Sequence, residues 1–200
     1  ELGVVNVVSG GQTMNPSTDD ILQAVQATPA KTVIVLPNNK NIIMAAEQTI
    51  NLADRTVCVL PTRTIPQGIS ALLAFDPEAD TEANMLSMTR AANKVETGLI
   101  TFAARDSEFD GHKIKEGEIL ALENGKLSFT SRDLDKSCVK LTRQLLRKDS
   151  SFVTLYYGSG VTDEKALEVE TAIREKLPET VELTLINGGQ PVYYFIISAE

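Results

Sequence analysis

The chain has 200 residues, a formal net charge of −8 and no Trp. That balance argues against nucleic acid and against an anionic membrane surface, both of which ask for a basic face. No apolar run reaches the roughly 20 residues of a membrane helix, and no signal peptide is visible. A hydrophobic content of 42% and a charged content of 23% are those of a globular chain with one large or two small domains.

The chain starts at Glu1-Leu2-Gly3, which reads as a helix end with a glycine cap and so as a piece of a longer protein. In chain order, strands are predicted at 4–8, 32–36 and 56–60, all β-branched and apolar without alternation, as for strands covered on both faces. Helices are predicted at 19–27, 41–52 (Ile43, Ala46 and Ile50 on one face), 68–74 and 80–94, the last with Asp80 as N-cap. This rhythm predicts a parallel βαβ lobe over residues 1–94. Residues 95–200 read as a mixed-sheet α/β lobe. Residues 99–130 carry antiparallel strands and turns, with a strong hairpin signal at Asn124-Gly125 and a weaker one at Asp110-Gly111. A helix at 133–147, a strand at 151–157, a helix at 163–177 and strands at 181–186 and 192–198 complete the order.

Each apolar strand of the first lobe is followed by a polar loop. The first holds Gly10, Gly11, Gln12, Thr13 and Asn15, ahead of a helix start at Ser17-Thr18. The second holds Asn38, Asn39, Lys40 and Asn41. The third holds Thr62, Arg63, Thr64 and Gln67. A second Gly-Gly-Gln occurs at Gly188, Gly189 and Gln190. In a parallel α/β sheet such loops share the carboxyl edge, where ligands and partners bind. Their chemistry is hydrogen bonding with two cations, Lys40 and Arg63, which suit phosphate or carboxylate. There is no carboxylate pair, His or Cys in them for acid–base work.

His112, the single histidine, reads as a turn residue, and one histidine with two separated cysteines makes no typical zinc site. Cys58 and Cys138 read as core thiols. No GxxxxGK[ST] loop is present, and Gly158-Ser159-Gly160 is a weak phosphate signal. The aromatic run at 192–197, with Tyr156 and Tyr157, reads as adjacent strands that either pack a core or form a docking patch.

Three loops in this order, 10–17, 36–41 and 61–68, together with 187–191 and 196–198, resemble the C-terminal region of the A-type, ATP-binding subunit of bacterial fatty acid kinase, a dihydroxyacetone kinase-like and DegV-like family. The resemblance spans essentially the whole chain. It implies a two-lobed DegV-like fold and a cytoplasmic bacterial protein that phosphorylates a fatty acid carried by a separate DegV-like subunit, feeding phospholipid synthesis. It implies that ATP and magnesium bind a domain outside these residues, that the intact protein can be a homodimer, and that this region docks the acyl-carrying subunit. Two other readings stay open: a site for a small phosphate, acyl phosphate or carboxylate ligand, and a purely structural or dimerising domain. The histidine that holds substrate in dihydroxyacetone kinases has no counterpart in His112.

Overall fold

The computed structural model describes residues 2–10, 14–109 and 112–200, without the side chains of Phe109 and His112. The chain divides into two units, Glu1–Val95 and Glu96–Glu200.

In the first unit, β1 (Thr32–Val35) and β2 (Thr56–Val59) pair in parallel, Thr32 opposite Thr56 and Val35 opposite Val59. Successive side chains point to opposite faces, and both faces are covered. On one, Val33, Val35, Val57 and Val59 pack with Ile21 and Val25 of α1 (Thr18–Ala27) and Ala46 of α2 (Ile43–Gln48). On the other, Ile34, Leu36 and Leu60 meet Ala71 of α3 (Ile65–Leu73) and Met88 and Ala92 of α4 (Thr81–Lys94). Cover on both faces explains why these strands are apolar throughout.

Four details differ from the sequence reading. Residues 4–8 form no strand. Asn6 is captured by the end of α1, its Nδ2 donating to the Ala24 carbonyl (3.2 Å) and Thr28 Oγ1 (2.7 Å), and Val7 is 83% exposed. β-branched composition supplies no ladder without a paired neighbour. Residues 2 and 3 are not helical, although Gly3 does have a φ of 73°. The second helix tightens into a 3₁₀ turn at Thr49–Asn51, anchored by the Thr49 hydroxyl on the Ala46 carbonyl at 2.6 Å. That change of pitch puts Thr49 inside and leaves Ile50 44% exposed. Finally, α3 begins three residues before Gly68, because Thr64 caps it and Pro66 fits its first turn.

The second unit is a six-stranded sheet in the order β7-β6-β3-β10-β8-β9. Its strands are β3 (Glu96–Phe102), β6 (Ile119–Glu123), β7 (Lys126–Ser131), β8 (Phe152–Tyr157), β9 (Glu182–Asn187) and β10 (Phe195–Ala199). Neighbours are antiparallel except β8 and β9, which are parallel. A short hairpin, β4 (Ser107–Phe109) with β5 (His112–Ile114), projects between β3 and β6. The Asp110-Gly111 turn lies outside the described residues. Asn124 (φ 49°) and Gly125 (φ 81°) close the β6–β7 hairpin as a two-residue turn whose positive φ values suit Asn-Gly. One face is covered by α5 (Leu134–Leu145) and α6 (Asp163–Arg174), which bury Cys138, Leu141, Val169 and Ile173 against Ile100, Leu155, Phe195 and Ile197. Among the described residues no helix is long and apolar enough to cross a membrane.

Candidate functional site

The carboxyl edge of β1 and β2 brings the second and third polar loops together. Asn38 takes a left-handed backbone, φ 56°, which Asn tolerates better than most residues. Its N–H donates to Thr62 Oγ1 at 3.1 Å, and the Thr62 hydroxyl donates back to Asn38 Oδ1 at 2.8 Å. Thr62 is buried. Behind the pair stands Gly68: a β-carbon built there would lie 2.1 Å from Asn38 Oδ1. Gly68 is thus a member of the site that sequence reasoning missed. In the sequence it stood only as the last residue of the 61–68 motif and the first of a helix predicted at 68–74.

The remaining amides are engaged locally. Asn39 Oδ1 accepts the Asn41 N–H at 2.9 Å, and the Asn39 carbonyl accepts the Ile42 N–H at 3.0 Å, leading into α2. Thr64 Oγ1 caps α3 by accepting the Gln67 N–H at 3.3 Å, while Gln67 Oε1 accepts the Arg63 N–H at 2.8 Å. This is a near relative of the capping box, one residue out of step. The edge also carries charge. Lys40 and Arg63 are exposed, and among the described residues neither pairs with a carboxylate.

The first loop is a different case. Gly11, Gln12 and Thr13 lie outside the described residues. Gly10 packs on Pro16, and Asn15 is exposed. The helix start after them is already occupied. Ser17 and Asp20 form a reciprocal cap, with Asp20 Oδ2 accepting from the Ser17 N–H (2.8 Å) and hydroxyl (2.7 Å). These hydrogen bonds hold the Asp20 carboxyl below its ordinary range. With Asp19 and Asp20 in its first turn, α1 repels an anion at its N-terminus.

Gly188, Gly189 and Gln190 follow β9 in the second unit, where they close a latch of their own. The Gly188 and Gly189 N–H groups donate to the Tyr157 carbonyl (3.0 and 3.1 Å), and Gln190 Nε2 donates to the Tyr156 carbonyl at 2.9 Å. Gly158, at the end of β8, lets the Tyr193 and Gln190 carbonyls pass where a β-carbon would lie 2.1 and 2.5 Å away. The last strand starts at Phe195 rather than at 192. Val192 has a φ of 72°, rare for a β-branched residue, in a three-residue turn closed by Tyr193 N–H to the Pro191 carbonyl at 2.8 Å. Thr101 Oγ1 holds the Val192 carbonyl at 2.7 Å. Phe195 and Tyr157 are buried and directly paired, so this part of the aromatic run is core. Tyr157 donates its hydroxyl to Asp163 Oδ1 at 2.8 Å, and that bond raises its pKa. Cys138 is fully buried, and desolvation pushes its thiol far above the ordinary range; Cys58 is half-buried.

The fold defines the class. The chain matches the DegV-family protein from Bacillus subtilis described as a fatty acid binding protein, at a TM-score of 0.62 and 15% identity over 93% of this chain and 77% of that one. It matches the Streptococcus pneumoniae Fatty Acid Kinase (Fak) B3 protein loaded with linoleic acid at 0.65, with 14% identity over 92% and 76%. The dihydroxyacetone kinase from C. freundii matches at 0.64, with 15% identity over 92% of this chain and 41% of that one. At such identities the likeness is one of fold, a mixed α/β architecture of the DegV and dihydroxyacetone kinase type.

Sequence carries the assignment further. Residues 1–200 match the FakA-like C-terminal family, the C-terminal part of proteins like the A-type subunit of fatty acid kinase, and the chain belongs to it. The protein YloV of Bacillus subtilis (strain 168) is 43% identical over the whole of this chain. An uncharacterized protein of Staphylococcus haemolyticus is 38% identical over the same span. The chain spans 36% of the length of these relatives.

Proposed function

We propose that residues 1–200 are the C-terminal module of a fatty acid kinase's ATP-binding subunit, acting in the cytoplasm to dock a DegV-like subunit that carries the fatty acid. Family membership supports the kinase context. The observation that carries docking is the pair of uncommitted cations, Lys40 and Arg63, on loops made rigid by the Asn38–Thr62 exchange. Rigid loops lose little entropy on binding, and exposed arginines are enriched among interface anchors. The partner's role is to present the acyl carboxylate, and this module's role is to hold and orient the partner.

The residues present do not fit an ATP–magnesium site. There is no phosphate loop, and among the described residues no three His, Cys, Asp or Glu side chains converge to hold a metal. The reading assigns ATP and magnesium, as the resemblance implies, to a domain outside these residues. The same two cations favour a second reading, a small phosphate or carboxylate bound at the edge itself.

Titration of Arg63→Ala against a fatty-acid-loaded DegV-like protein tests docking. The expected loss is about 2 kcal/mol or more, roughly 30-fold in affinity. Melting is expected to be unchanged, because surface substitutions shift stability by about 0.5 kcal/mol or less. Lys126→Ala, on the exposed β6–β7 hairpin, is the control. Unchanged affinity in Arg63→Ala removes the third loop from the interface. Phosphate binding at millimolar concentration with no protein partner bound favours the second reading.

A further inference from the structure

α3 is apolar on its solvent side as well as on its core side. Pro66, Gly68, Ser70 and Ala71 are buried and form the inner face. Ile65, Ile69, Leu72 and Leu73 are spaced by four, three and one residues, which gathers them on the opposite face. Ile65 is 51% exposed and Leu73 69%, with Ile69 and Leu72 half-buried between them. The helix holds two polar side chains, and neither covers this stripe. Gln67 Oε1 turns back to accept the Arg63 N–H at 2.8 Å, and Ser70 is buried. Phe75, 46% exposed, follows the helix end. The Ser87 hydroxyl donates to the Ala74 carbonyl at 3.2 Å, which brings α4 and its exposed Leu86 to the same end. A helix that is apolar all round is normally covered all round.

The stripe runs about 12 Å from Ile65 to Leu73, and its two ends carry opposite charge. Arg63 stands two residues before it, and the Asn38–Thr62 exchange holds the Lys40 loop at that same end. Gly68 packs on the Asn38 side chain, so the helix and the two cations are held as one piece. At the other end stand Asp76, Glu78 and Glu82, all exposed. None of the three pairs with a cation among the described residues. These carboxylates disfavour an anionic bilayer as the cover, because an interfacial helix needs a basic border along its length. A protein surface can match both ends at once.

We infer that the outer face of α3 is the apolar centre of an interface. Its occupant is a folded protein whose own apolar patch is bordered by carboxylates at one end and cations at the other. The inference rests on the docking reading and extends it: the occupant is the same acyl-carrying partner, met through α3 as well as through the cations. Arg63 adjoins Ile65 and is desolvated with it, while Lys40 stays at the rim. A charge-depleted centre inside a polar rim is the usual build of a protein interface. The two parts respond differently to salt. Screening weakens the contribution of exposed cations and leaves the burial of Ile65 and Leu73 in place.

Isothermal titration of the chain with a fatty-acid-loaded DegV-like protein, at about 50 and 500 mM NaCl, tests it. Ile65→Ser with Leu73→Ser is expected to weaken binding by roughly 30-fold or more at both salt concentrations. The loss in Arg63→Ala is expected to shrink at the higher one. The heat capacity change of binding is expected to be negative and to become less so in the double variant. Leu167→Ser, 55% exposed on α6, is the control for loss of surface apolarity and is expected to bind as wild type does. Circular dichroism establishes that each variant is folded; if the double variant is not, Leu73→Ser alone replaces it. A wild type that binds, with a folded stripe variant that binds as tightly, overturns the inference and leaves docking through Arg63 standing. A wild type that does not bind ends the docking reading and this inference with it. An equal loss in Leu167→Ser also overturns the inference. So does a stripe variant that changes the sedimentation of the chain alone, which makes a second copy the occupant. Leu73-dependent sedimentation with phosphatidylglycerol vesicles overturns it in favour of a membrane.

Discussion

Gly68→Ala tests how the Asn38–Thr62 edge is held together. In an exposed helix interior the change stabilises by roughly 1 kcal/mol, because alanine loses less backbone entropy. Here the new methyl would lie 2.1 Å from Asn38 Oδ1 and 2.7 Å from its Cγ, so the Asn38 side chain must leave. Departure breaks the Thr62 hydroxyl's bond to Oδ1 and leaves that hydroxyl buried without an acceptor. Losing one partner of a buried pair costs about 1–3 kcal/mol. Set against the helix gain, the net expectation is destabilisation by up to about 2 kcal/mol. In an Asn38→Gly background the obstruction is gone and glycine keeps the left-handed backbone. There the same Gly68→Ala change is expected to stabilise, by about 0.5–1 kcal/mol. Urea unfolding followed by circular dichroism reads both arms. Tyrosine fluorescence is a useful companion, since all four tyrosines lie in residues 156–194 and report the second unit alone. A Gly68→Ala change of the same sign in both backgrounds refutes the account of Gly68 as space for Asn38.

Three more expectations follow from single contacts. Val192→Gly relieves a positive-φ valine and is expected to stabilise the second unit by about 1 kcal/mol, read from its urea midpoint by tyrosine fluorescence. Cys138 is expected to stay unlabelled by a thiol reagent in the native protein while Cys58 reacts slowly, both reacting at once in denaturant; fast native labelling at Cys138 contradicts its burial. Asp20, Asp106 and Asp133 have folded-state pKa values below their ordinary range, through hydrogen bonds from Ser17, Lys115 and the Lys136 backbone respectively. Their contribution is present above the ordinary Asp value of about 3.9 and is lost as pH falls through the lower folded values. Stability is therefore expected to fall as pH drops from about 4 and to do so less steeply in Ser17→Ala.

The strands, helices and hairpin that declare themselves by local pattern were legible in the sequence. The two-face apolar pattern of β1 and β2, the Asn124-Gly125 turn and the stripe of Ala166, Val169 and Ile173 each carry their structure locally. What the sequence hid depends on partners distant in the chain. Val4–Val8 has strand composition, but whether it pairs is decided elsewhere, and the end of α1 takes Asn6 instead. The two Gly-Gly-Gln copies look equivalent in one dimension. The second is bound to the Tyr156 and Tyr157 carbonyls, more than 30 residues away, and most of the first lies outside the described residues. Asn38, Asn39, Thr62, Thr64 and Gln67 read as ligand-binding amides and hydroxyls, yet their side-chain oxygens already accept or exchange hydrogen bonds within the two loops. Only tracing each hydrogen bond separates such residues from Lys40 and Arg63, whose charge remains for something outside the unit.

That leftover charge sets a final expectation, which separates a protein partner from a small anion. If a partner's acids meet both cations, affinity should fall with salt, since exposed charges are screened beyond about 10 Å at 0.1 M. Removing Arg63 and Lys40 together should then flatten the salt dependence as well as weaken binding. Rim charges act chiefly on the association rate, so Lys40→Ala is expected to slow association. An arginine desolvated at the centre acts on dissociation, so Arg63→Ala is expected to shorten the complex's lifetime. A stopped-flow or surface-binding series over 50–500 mM NaCl reads the two effects separately. Inorganic phosphate at 10 mM, at matched ionic strength, provides the opposing test. If the edge is a small-anion site, phosphate displaces the partner beyond the effect of chloride, and both substitutions abolish that excess. If phosphate and chloride act alike while Arg63→Ala speeds dissociation, the edge recognises a protein's carboxylates. A salt slope unchanged by the double substitution means that the charge on this edge faces solvent alone, and the docking surface must then be sought on another face of the chain.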